Sequence, residues 1–467
     1  MDEKAPMREL LARAAACEAP IGPMPLNALL EGMKMRRQRR IRAIAAGAGA
    51  VAVVCVASLT VTRTIGSPAA ASPGGTTTAY VLGGRAVGTV TPISAANTPG
   101  QPIEVTSGRP FITENMPGYS QLAVSPDGKT VWASDGGTVV PISTATNTAG
   151  TPVTVVHHSG VGNGIEQVLM APDGKTLYAL GTTVTPVSTV AVTPISTATH
   201  QAGEPIELGP GTLGPAEMAI TPDGKTLYVV FLFPPGTATS YVIPISTATD
   251  RAGKPIQLSQ DVTAVVAAAD GKTVYLVGQP RPKGTSEPLP TVEVTPIATA
   301  TNTVGKPIVA GSGTLGLGTP VVTTPDGRTV YIVELSPDDV IPFSLATNTP
   351  GKPISLGTQL IDIAMAPDGR SAYVLSVPPG GFYPGGAHCG NAPGAVTPIT
   401  TSTNTAGAPI KLAVGCNPLE IGVTTDGRTV YVVSNSGVTP VATATGRVGT
   451  RINIEMPEAI LTVPPEG

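Results

Sequence analysis

The sequence predicts an all-β protein, a β-propeller of four-stranded blades preceded by one N-terminal transmembrane helix. The main observation is a repeat: an Asp-Gly turn recurs at spacings of 46, 50, 47, 56, 42 and 58 residues, periods typical of propellers and solenoids. Composition agrees, since 49 Pro and 55 Gly accompany 41% hydrophobic residues, as expected for many short strands joined by tight turns. An uncharged apolar segment precedes the repeats. The turn aspartates are Asp127, Asp173, Asp223, Asp270, Asp326, Asp368 and Asp426.

Each repeat unit is interpreted as four antiparallel strands. In the first complete unit the β-rich runs are LAVS, TVWAS, TVVPIS and PVTVV, with turn residues between them. Asp-Gly favours a hairpin because Gly accepts a positive φ and Asp hydrogen-bonds within its own turn. The turn aspartates are therefore predicted to be structural and not a metal-binding set. A second hairpin, Asn-Thr-Ala-Gly or a variant, occurs at Asn97, Asn147, Asn302, Asn348 and Asn404.

These repeats resemble those of the YVTN β-propeller family. The resemblance rests on ITPDGKTLYVV at 220–230, TTPDGRTVYIV at 323–333 and VTTDGRTVYVVSN at 423–435, and covers about residues 79–467. It implies a β-propeller fold. The chain differs from the family where an Asn usually follows the second strand, which is clear only at Asn435. A WD40 propeller fits less well, because the chain has one Trp, Trp132, and no repeated Trp-Asp pair.

The two ends of the repeat region predict eight blades. Ala79–Val105 supplies only a second, third and fourth strand, whereas 456–467 has the pattern of a lone first strand. One strand from the C-terminus and three from the N-terminus would complete an eighth blade and close the ring. Seven blades remain the alternative, if Ala79–Val105 lies outside the ring.

The segment before the repeats predicts a membrane anchor. Ala43–Thr62 contains no charged residue, and 20 residues of helix span about 30 Å, the thickness of the hydrocarbon core. Basic residues crowd its N-terminal side, while Arg63 stands alone after it. The positive-inside rule then places the N-terminus in the cytoplasm and the repeats outside. A cleavable signal peptide is the alternative, because Ala69-Ala70-Ala71 resembles a cleavage site.

The predicted organisation is a cytoplasmic tail at 1–40, an anchor at 41–62, a linker at 63–78 and an extracellular propeller at 79–467. The tail resembles those of anchored proteins exported by high-GC Gram-positive bacteria. Cys389 and Cys416 lie in the exported part, where thiols can oxidise, and a disulfide between them is expected. Cys17 and Cys55 lie in the tail and the anchor.

Charge distribution bears on the class of partner. Residues 72–467 hold 18 Lys and Arg against 26 Asp and Glu, a balance of −8, which argues against nucleic acid. Long insertions concentrate on the face opposite the Asp-Gly and Asn-Thr-Ala-Gly turns, and binding residues are common in loops on a rigid scaffold. We call the face with the long insertions the loop face, and the opposite face, which carries the two kinds of turn, the turn face. His157, His158 and His388 map to the loop face without the spacing of zinc ligands.

One positional pattern suggests a binding site. Acidic residues stand six positions before the turn Asp at Glu217, Asp362 and Glu420, and seven positions before it at Glu166. A rim of these four carboxylates is predicted to bind a cation such as calcium, or a positively charged ligand. A solvated set of charges at strand starts is the alternative.

The function that these observations favour is a cell-surface binding or scaffold propeller, held at the membrane, that presents its loop face to an extracellular ligand or protein partner. The alternative is a hydrolase resembling the propeller lactonases, with its site at the channel mouth. Such an enzyme would need Glu, His and Arg to converge there, and motifs for nucleophilic, nucleotide or zinc-protease sites do not occur in the sequence.

Overall fold

The fold is taken from a computed structural model of the chain. The structure describes the repeat region as the ranges 78–84, 88–105, 121–155, 165–183, 189–210, 216–231, 240–282, 288–316, 319–378, 393–412 and 418–463.

Within these ranges the chain forms strands only, in the order that the repeats predict. The strands up to blade 3 are β1 (Thr78–Gly83), β2 (Thr89–Ile93), β3 (Ile103–Glu104), β4 (Leu122–Val124), β5 (Thr130–Asp135), β6 (Thr138–Ser143), β7 (Thr148–Ala149), β8 (Val153–Thr154), β9 (Ile165–Met170), β10 (Thr176–Thr183), β11 (Thr189–Ser196), β12 (Gln201–Ala202), β13 (Ile206–Pro210), β14 (Ala216–Ile220), β15 (Thr226–Phe231), β16 (Tyr241–Ser246), β17 (Arg251–Ala252) and β18 (Ile256–Gln257).

The same order continues to the C-terminal end of the described chain. The remaining strands are β19 (Gln260–Ala267), β20 (Thr273–Pro280), β21 (Val292–Ala298), β22 (Thr303–Val304), β23 (Ile308–Gly311), β24 (Val321–Thr323), β25 (Thr329–Val333), β26 (Asp339–Ser344), β27 (Thr349–Pro350), β28 (Ile354–Ser355), β29 (Gln359–Met365), β30 (Ser371–Val377), β31 (Ala395–Thr400), β32 (Thr405–Ala406), β33 (Ile410–Lys411), β34 (Pro418–Val423), β35 (Thr429–Ser434), β36 (Gly437–Ala442) and β37 (Pro457–Val463).

These strands form eight antiparallel sheets in the described part of the chain, which confirms the eight-bladed propeller. Blades 1 to 7 begin at β4, β9, β14, β19, β24, β29 and β34. Blade 8 has the order β3-β2-β1-β37, with Tyr80 opposite Leu461. The predicted closure by one C-terminal and three N-terminal strands is therefore confirmed. Since β37 contacts β34 of blade 7 and β4 of blade 1, the two ends of the repeat region meet without a covalent link.

The hydrophobic core lies between neighbouring blades. One cluster joins Tyr80 of blade 8, Trp132 of blade 1 and Val168 of blade 2, all fully buried. Side chains alternate between the two faces of each strand, so every sheet packs on both neighbours. A blade alone would leave both faces in water, and stability therefore depends on the complete ring.

The Asp-Gly turns have the predicted structural role. In blade 3, Oδ1 of Asp223 accepts hydrogen bonds from the Lys225 backbone N–H at 3.1 Å and from the Thr221 hydroxyl at 2.7 Å. Gly224 follows with φ of 71°, a conformation that glycine adopts without strain. The turn aspartates thus hold the hairpin between the first and second strands.

The outer strand differs from the prediction, since PVTVV does not form one continuous strand. In blade 1 the outer edge consists instead of two short strands, β7, which precedes this run, and β8, which lies within it, with Gly150 between them. Gly150 N–H donates to the Pro141 carbonyl at 2.7 Å, and a Cβ on Gly150 would lie 3.1 Å from Pro141 Cγ. Proline has no N–H to continue the ladder, so the repeated Pro of the third strand interrupts its outer neighbour.

A hydrogen bond between neighbouring blades explains why Tyr and Asn recur. Tyr228 of blade 3 donates its hydroxyl to Asn302 Oδ1 of blade 4 at 2.7 Å, and Asn302 has a positive φ of 55°. Between blades 1 and 2, Trp132 instead packs edge-on against His200, with ring centroids 5.2 Å apart. The same Tyr–Asn hydrogen bond is made by Tyr80–Asn147, Tyr275–Asn348, Tyr331–Asn404 and Tyr431–Asn97.

Several predicted features lie outside the described residues. These are the anchor Ala43–Thr62, the pair Cys389 and Cys416, and the three loop-face histidines His157, His158 and His388. In the portion that is described, no helix has the length and apolar character needed to cross a membrane. The anchor and the disulfide stay predictions.

Candidate ligand-binding site

The position six residues before the turn Asp links the first strands of neighbouring blades. In blade 1, Oε1 of Gln121 accepts the N–H of Val168 in blade 2 at 3.0 Å. In blade 2, Oε1 of Gln167 accepts the N–H of Met218 in blade 3 at 2.5 Å, and its Nε2 donates to the Met218 carbonyl. We call this the linking position. Its side chain reaches across the gap to the next blade.

Blades 3 and 6 make the same link with a carboxyl group. In blade 3 the Val265 N–H of blade 4 favours the charged form of the Glu217 carboxyl group, yet burial raises the pKa of Glu217 to about 8. In blade 6, Asp362 is 1% exposed. Its Oδ2 accepts the Ile421 N–H of blade 7 at 3.0 Å, and its Oδ1 accepts the N–H of Ile363 at 2.8 Å. Burial nevertheless raises the pKa of Asp362 to about 7, because desolvation outweighs both hydrogen bonds.

Blade 7 differs in that its carboxyl group is left without a hydrogen bond. Glu420 is 0% exposed, and neither of its carboxylate oxygens has a hydrogen-bonding partner among the described residues. Burial, and next the charge of Asp362, raise the pKa of Glu420 well above its ordinary value. The Ile460 N–H of blade 8 opposes this shift, but without the geometry of a hydrogen bond. A buried carboxylate without a partner costs several kcal/mol, on the order of a full desolvation penalty.

Glu166 occupies a different kind of position from the other predicted rim residues. Leu180 pairs with Gln167 and Gly181 pairs with Ile165, so Glu166 is the extra residue of a β-bulge. The same one-residue shift in strand register occurs just before Asp362 in β29 and just before Glu420 in β34. In blades 2, 6 and 7 a bulge thus directly precedes the linking position, and bulges turn the following side chain out of the regular alternation.

The structure brings two of the four predicted rim residues into electrostatic contact. Asp362 is hydrogen-bonded to Ile421, the residue after Glu420, and its charge acts on Glu420. Glu217 lies three blades before Asp362. Over the ranges that the structure covers, no three or more His, Cys, Asp and Glu side chains form a group that could hold a metal ion. The candidate site is therefore centred on the Asp362–Glu420 pair.

Sequence reasoning missed Gln121 and Gln167 because it considered only charged residues. Both stand six positions before the turn Asp, as Glu217 does, so counting from the turn finds them too. The N–H groups of the next blade that donate these hydrogen bonds have no such signal, since every residue except proline has a backbone N–H. In blades 4 and 5 the same count gives Ala264 and Pro320, which offer no side-chain acceptor.

A cavity of about 600 Å³ opens on the turn face and does not include the rim. Its walls carry proline rings, hydroxyls and two turn carboxylates, among them Pro222, Pro325, Asp326, Tyr331 and Asp368. The Tyr331 hydroxyl and Oδ1 of Asp326 are already engaged, in the link to Asn404 and in the Asp-Gly turn. These two polar groups of the wall are thus engaged in hydrogen bonds that recur from repeat to repeat.

Comparison with known proteins supports the architecture. No family model and no curated protein sequence matches the chain. Among solved structures, the dihydro-heme d1 dehydrogenase NirN matches with a TM-score of 0.60 at 14% identity, over 85% of this chain and 77% of NirN. Citrobacter koseri AztD matches with a TM-score of 0.53 at 11% identity, over 83% of this chain and 98% of AztD.

A candidate 6-phosphogluconolactonase from Bacteroides fragilis is more distant, with a TM-score of 0.47 at 15% identity, over 85% of this chain and 100% of that one. A shared propeller does not transfer an activity, because unrelated functions occur on this fold. At these identities, the solved structures show that this chain has the β-propeller fold and nothing finer.

Proposed function

We propose that this protein is a cell-surface binding or scaffold propeller, anchored by Ala43–Thr62, that presents its loop face to an extracellular ligand or protein partner. We further propose that the predicted rim of Glu166, Glu217, Asp362 and Glu420 binds a hard cation such as calcium, with the Asp362–Glu420 pair as the centre of the site. Carboxylate oxygens are the ligands that such cations prefer. A bound cation would hold the first strands of neighbouring blades together beneath the loop face.

One observation carries the cation proposal. Blades 1 and 2 make the link between blades with a neutral amide, at Gln121 and Gln167. Blades 3, 6 and 7 place a carboxyl group at the same position, although burial raises its pKa in each case. Because an amide makes this link at lower desolvation cost, the carboxyl groups favour a role that an amide does not perform, and binding a cation is such a role.

Calorimetric titration of the purified full-length protein with calcium tests the proposal. We expect binding in the range of extracellular sites, with a Kd no weaker than about 10⁻³ M. The triple variant Glu217→Gln, Asp362→Asn and Glu420→Gln should lose it. A matched control, Glu104→Gln with Glu204→Gln and Glu207→Gln, removes the same charge from exposed residues and should bind as the wild type does.

Two results would contradict the cation site. One is the absence of calcium binding at millimolar concentration, and the other is equal heats for the wild type and the rim variant. Loss of binding in the exposed-charge control as well would assign the effect to net charge and not to the rim.

Surface display is tested separately by protease shaving of intact cells. The charge reversal about Ala43–Thr62 predicts that residues after about 79 are digested and the N-terminal tail is protected. Cells in which known surface proteins are cleaved while the propeller stays intact would show that the orientation is wrong.

A further inference from the structure

The turn face presents a ring of basic side chains. The residue two positions after the turn Asp is Lys or Arg in each of blades 1 to 7, and all seven of these residues are exposed. The backbone N–H of each donates to Oδ1 of its turn Asp at 2.9 to 3.1 Å. This hydrogen bond keeps the short carboxylate at the turn, whereas the longer basic side chain can extend into solvent. The ring consists of Lys129, Lys175, Lys225, Lys272, Arg328, Arg370 and Arg428.

Ion pairs neutralise little of this positive charge. Among the described residues, one member of the ring forms a salt bridge, Lys225 with Asp223 at 3.5 Å, and the two side chains are 80% and 47% exposed. Such an exposed pair contributes little. Lysines also follow the outer turns of three consecutive blades directly, and all three are exposed, at Lys254, Lys306 and Lys352. Positive charge therefore extends from the turn face to the outer edge of blades 3 to 5.

The half of the propeller toward the loop face, which we call the loop side, has the opposite balance. Of the basic residues that the structure describes, Arg281, Lys411 and Arg451 lie on this side, and Arg281 forms an ion pair with Asp261. More acidic than basic side chains are exposed or partly exposed there, namely Glu104, Glu207, Glu293, Asp338, Glu455 and Glu458.

The charged residues of 79–467 that lie outside the described ranges do not change this balance. They are three basic and three acidic residues, Arg85, Arg109 and Lys283 with Glu114, Glu287 and Glu466. The propeller is therefore electrically polar, with positive charge toward the turn face and negative charge toward the loop face.

The propeller also joins the predicted anchor at its turn face. Ala79 of β1 lies opposite Ile93, which directly precedes the outer turn at Asn97, so β1 begins at the turn face. The 15 residues 63–77 separate the predicted anchor from Thr78 and span at most about 50 Å when fully extended. The longest blade strands have eight residues, about 26 Å. Presenting the loop face to the membrane would therefore use about half of the linker to pass along the ring.

We propose that the turn face docks on the membrane that holds the anchor, with the ring of Lys and Arg side chains against anionic lipid headgroups. This inference rests on the proposed surface display and adds its orientation, because a docked turn face directs the loop face away from the bilayer and toward the ligand or partner. The negative surface potential of an anionic bilayer attracts basic residues and repels the acidic loop side. The interacting charges are exposed, so high salt weakens the docking.

Acetylation of lysines in a bilayer tests the docking. The full-length protein is incorporated into nanodiscs of phosphatidylcholine alone or of equal parts phosphatidylcholine and phosphatidylglycerol, and the acetylation rate of each lysine is followed by mass spectrometry. Lys129, Lys175, Lys225 and Lys272 report on the turn face, and Lys411 reports on the loop side. We expect the four turn-face lysines to react at least about threefold more slowly in the anionic discs, with Lys411 unchanged. This difference should disappear at about 1 M salt, where the Debye length is about 3 Å.

Variants assign the docking to the ring. Arg370→Gln with Arg428→Gln removes two basic side chains from the turn face of blades 6 and 7 and should abolish at least half of the protection of the four turn-face lysines. The variant is expected to fold, because the turns use the backbone N–H of these residues, and circular dichroism checks this. The matched control, Lys411→Gln with Arg451→Gln, removes the same charge from the loop side of the same two blades and should keep the protection.

The possible failures are distinguishable. Incorporation into both kinds of disc with equal acetylation rates of the turn-face lysines would overturn the docking and leave the proposed surface display standing. Slower acetylation of Lys411 in place of the turn-face lysines would also overturn it, because the loop side would then face the lipid. Protection by soluble polyphosphate but not by the anionic bilayer would assign the ring to a soluble polyanion and overturn lipid docking. A protein that does not enter the discs would overturn the anchor itself, and the docking with it.

Discussion

Two regions of the ring link neighbouring blades through the same backbone geometry but with different side-chain groups. One is the gap between blades 1 and 2, and the other is the two gaps on either side of blade 7. Gln121 spans the first gap with a neutral amide, while Asp362 and Glu420 reach into the gaps beside blade 7. The amide is satisfied and uncharged at every accessible pH. The carboxyl groups are neutral or charged according to pH and to bound ions. The repeat thus keeps the link between blades at the same position. Whether that link responds to pH and ions depends on whether the linking residue has an amide or a carboxyl group.

The two regions also differ in how the chain holds them together. Blades 1 and 2 follow one another directly in sequence, whereas blade 8 is completed by strands from both ends of the repeat region. The carboxyl groups therefore lie beside the part of the ring that depends most on non-covalent pairing. This difference makes three predictions.

The largest effect is expected from removing the closing strand. Deletion of 456–467 removes β37, so that β1 keeps only β2 as a partner and the faces of β4 and β34 that β37 covers are exposed. An unpaired strand edge favours aggregation. We expect loss of cooperative unfolding or precipitation, measured by calorimetry and light scattering. A truncated protein that melts as the full chain does would mean that β37 is not needed for closure.

A smaller effect is expected from exchanging the carboxyl and amide side chains at the linking position. Glu420→Gln should raise the free energy of unfolding at pH 8 in calcium-free buffer by about 1–3 kcal/mol, because a buried group that lacks a partner is replaced by a neutral one. Gln167→Glu should lower it by a similar amount, since Gln167 is 3% exposed. Chemical denaturation measures both. Equal stabilities of the two variants would mean that the regions do not differ electrostatically.

The pH dependence of the wild type sharpens this second prediction. The pKa of Asp362 is raised from 3.8 to about 7, so the folded state keeps a proton that the unfolded state loses. The corresponding stability is fully present below about pH 3.8 and is lost as pH rises through 7. Without calcium, the midpoint of denaturation should therefore fall between pH 5 and pH 8. In the triple variant Glu217→Gln, Asp362→Asn and Glu420→Gln, which also removes the raised pKa of Glu217, it should change much less, and a parallel fall in both proteins would contradict the assignment.

The smallest effect is expected from the Tyr–Asn hydrogen bonds. Tyr431→Phe removes the hydrogen bond to Asn97 Oδ1, which spans 334 residues of sequence at 2.7 Å between blades 7 and 8, and should cost about 1 kcal/mol. Tyr228→Phe removes the equivalent bond between blades 3 and 4 and is the matched control. A clearly larger loss at Tyr431 would show that the closing region is the weaker part of the ring.

Most of the fold could be predicted from the sequence because the repeat carries local information. Asp223 and Gly224 determine a hairpin through their own hydrogen bonds and φ angle, and β-branched runs between such turns predict strands. The blade count followed from matching 456–467 to a missing first strand. The divided outer strand was not predicted, because the contact of Gly150 with Pro141 involves packing that a run of β-formers does not reveal.

The candidate site was predicted only as a set of positions. The sequence by itself determined that Glu217, Asp362 and Glu420 stand at equivalent places in the repeat, since their distance from the turn Asp is fixed along the chain. Only the tertiary structure decided that Glu166 is a bulge residue, that glutamines make the same link in blades 1 and 2, and that Glu420 is buried without a partner. The physical reason is that burial and desolvation depend on the neighbouring blade, whose strands come from about 50 residues away in sequence, roughly one repeat, and for blade 8 from the opposite end of the repeat region.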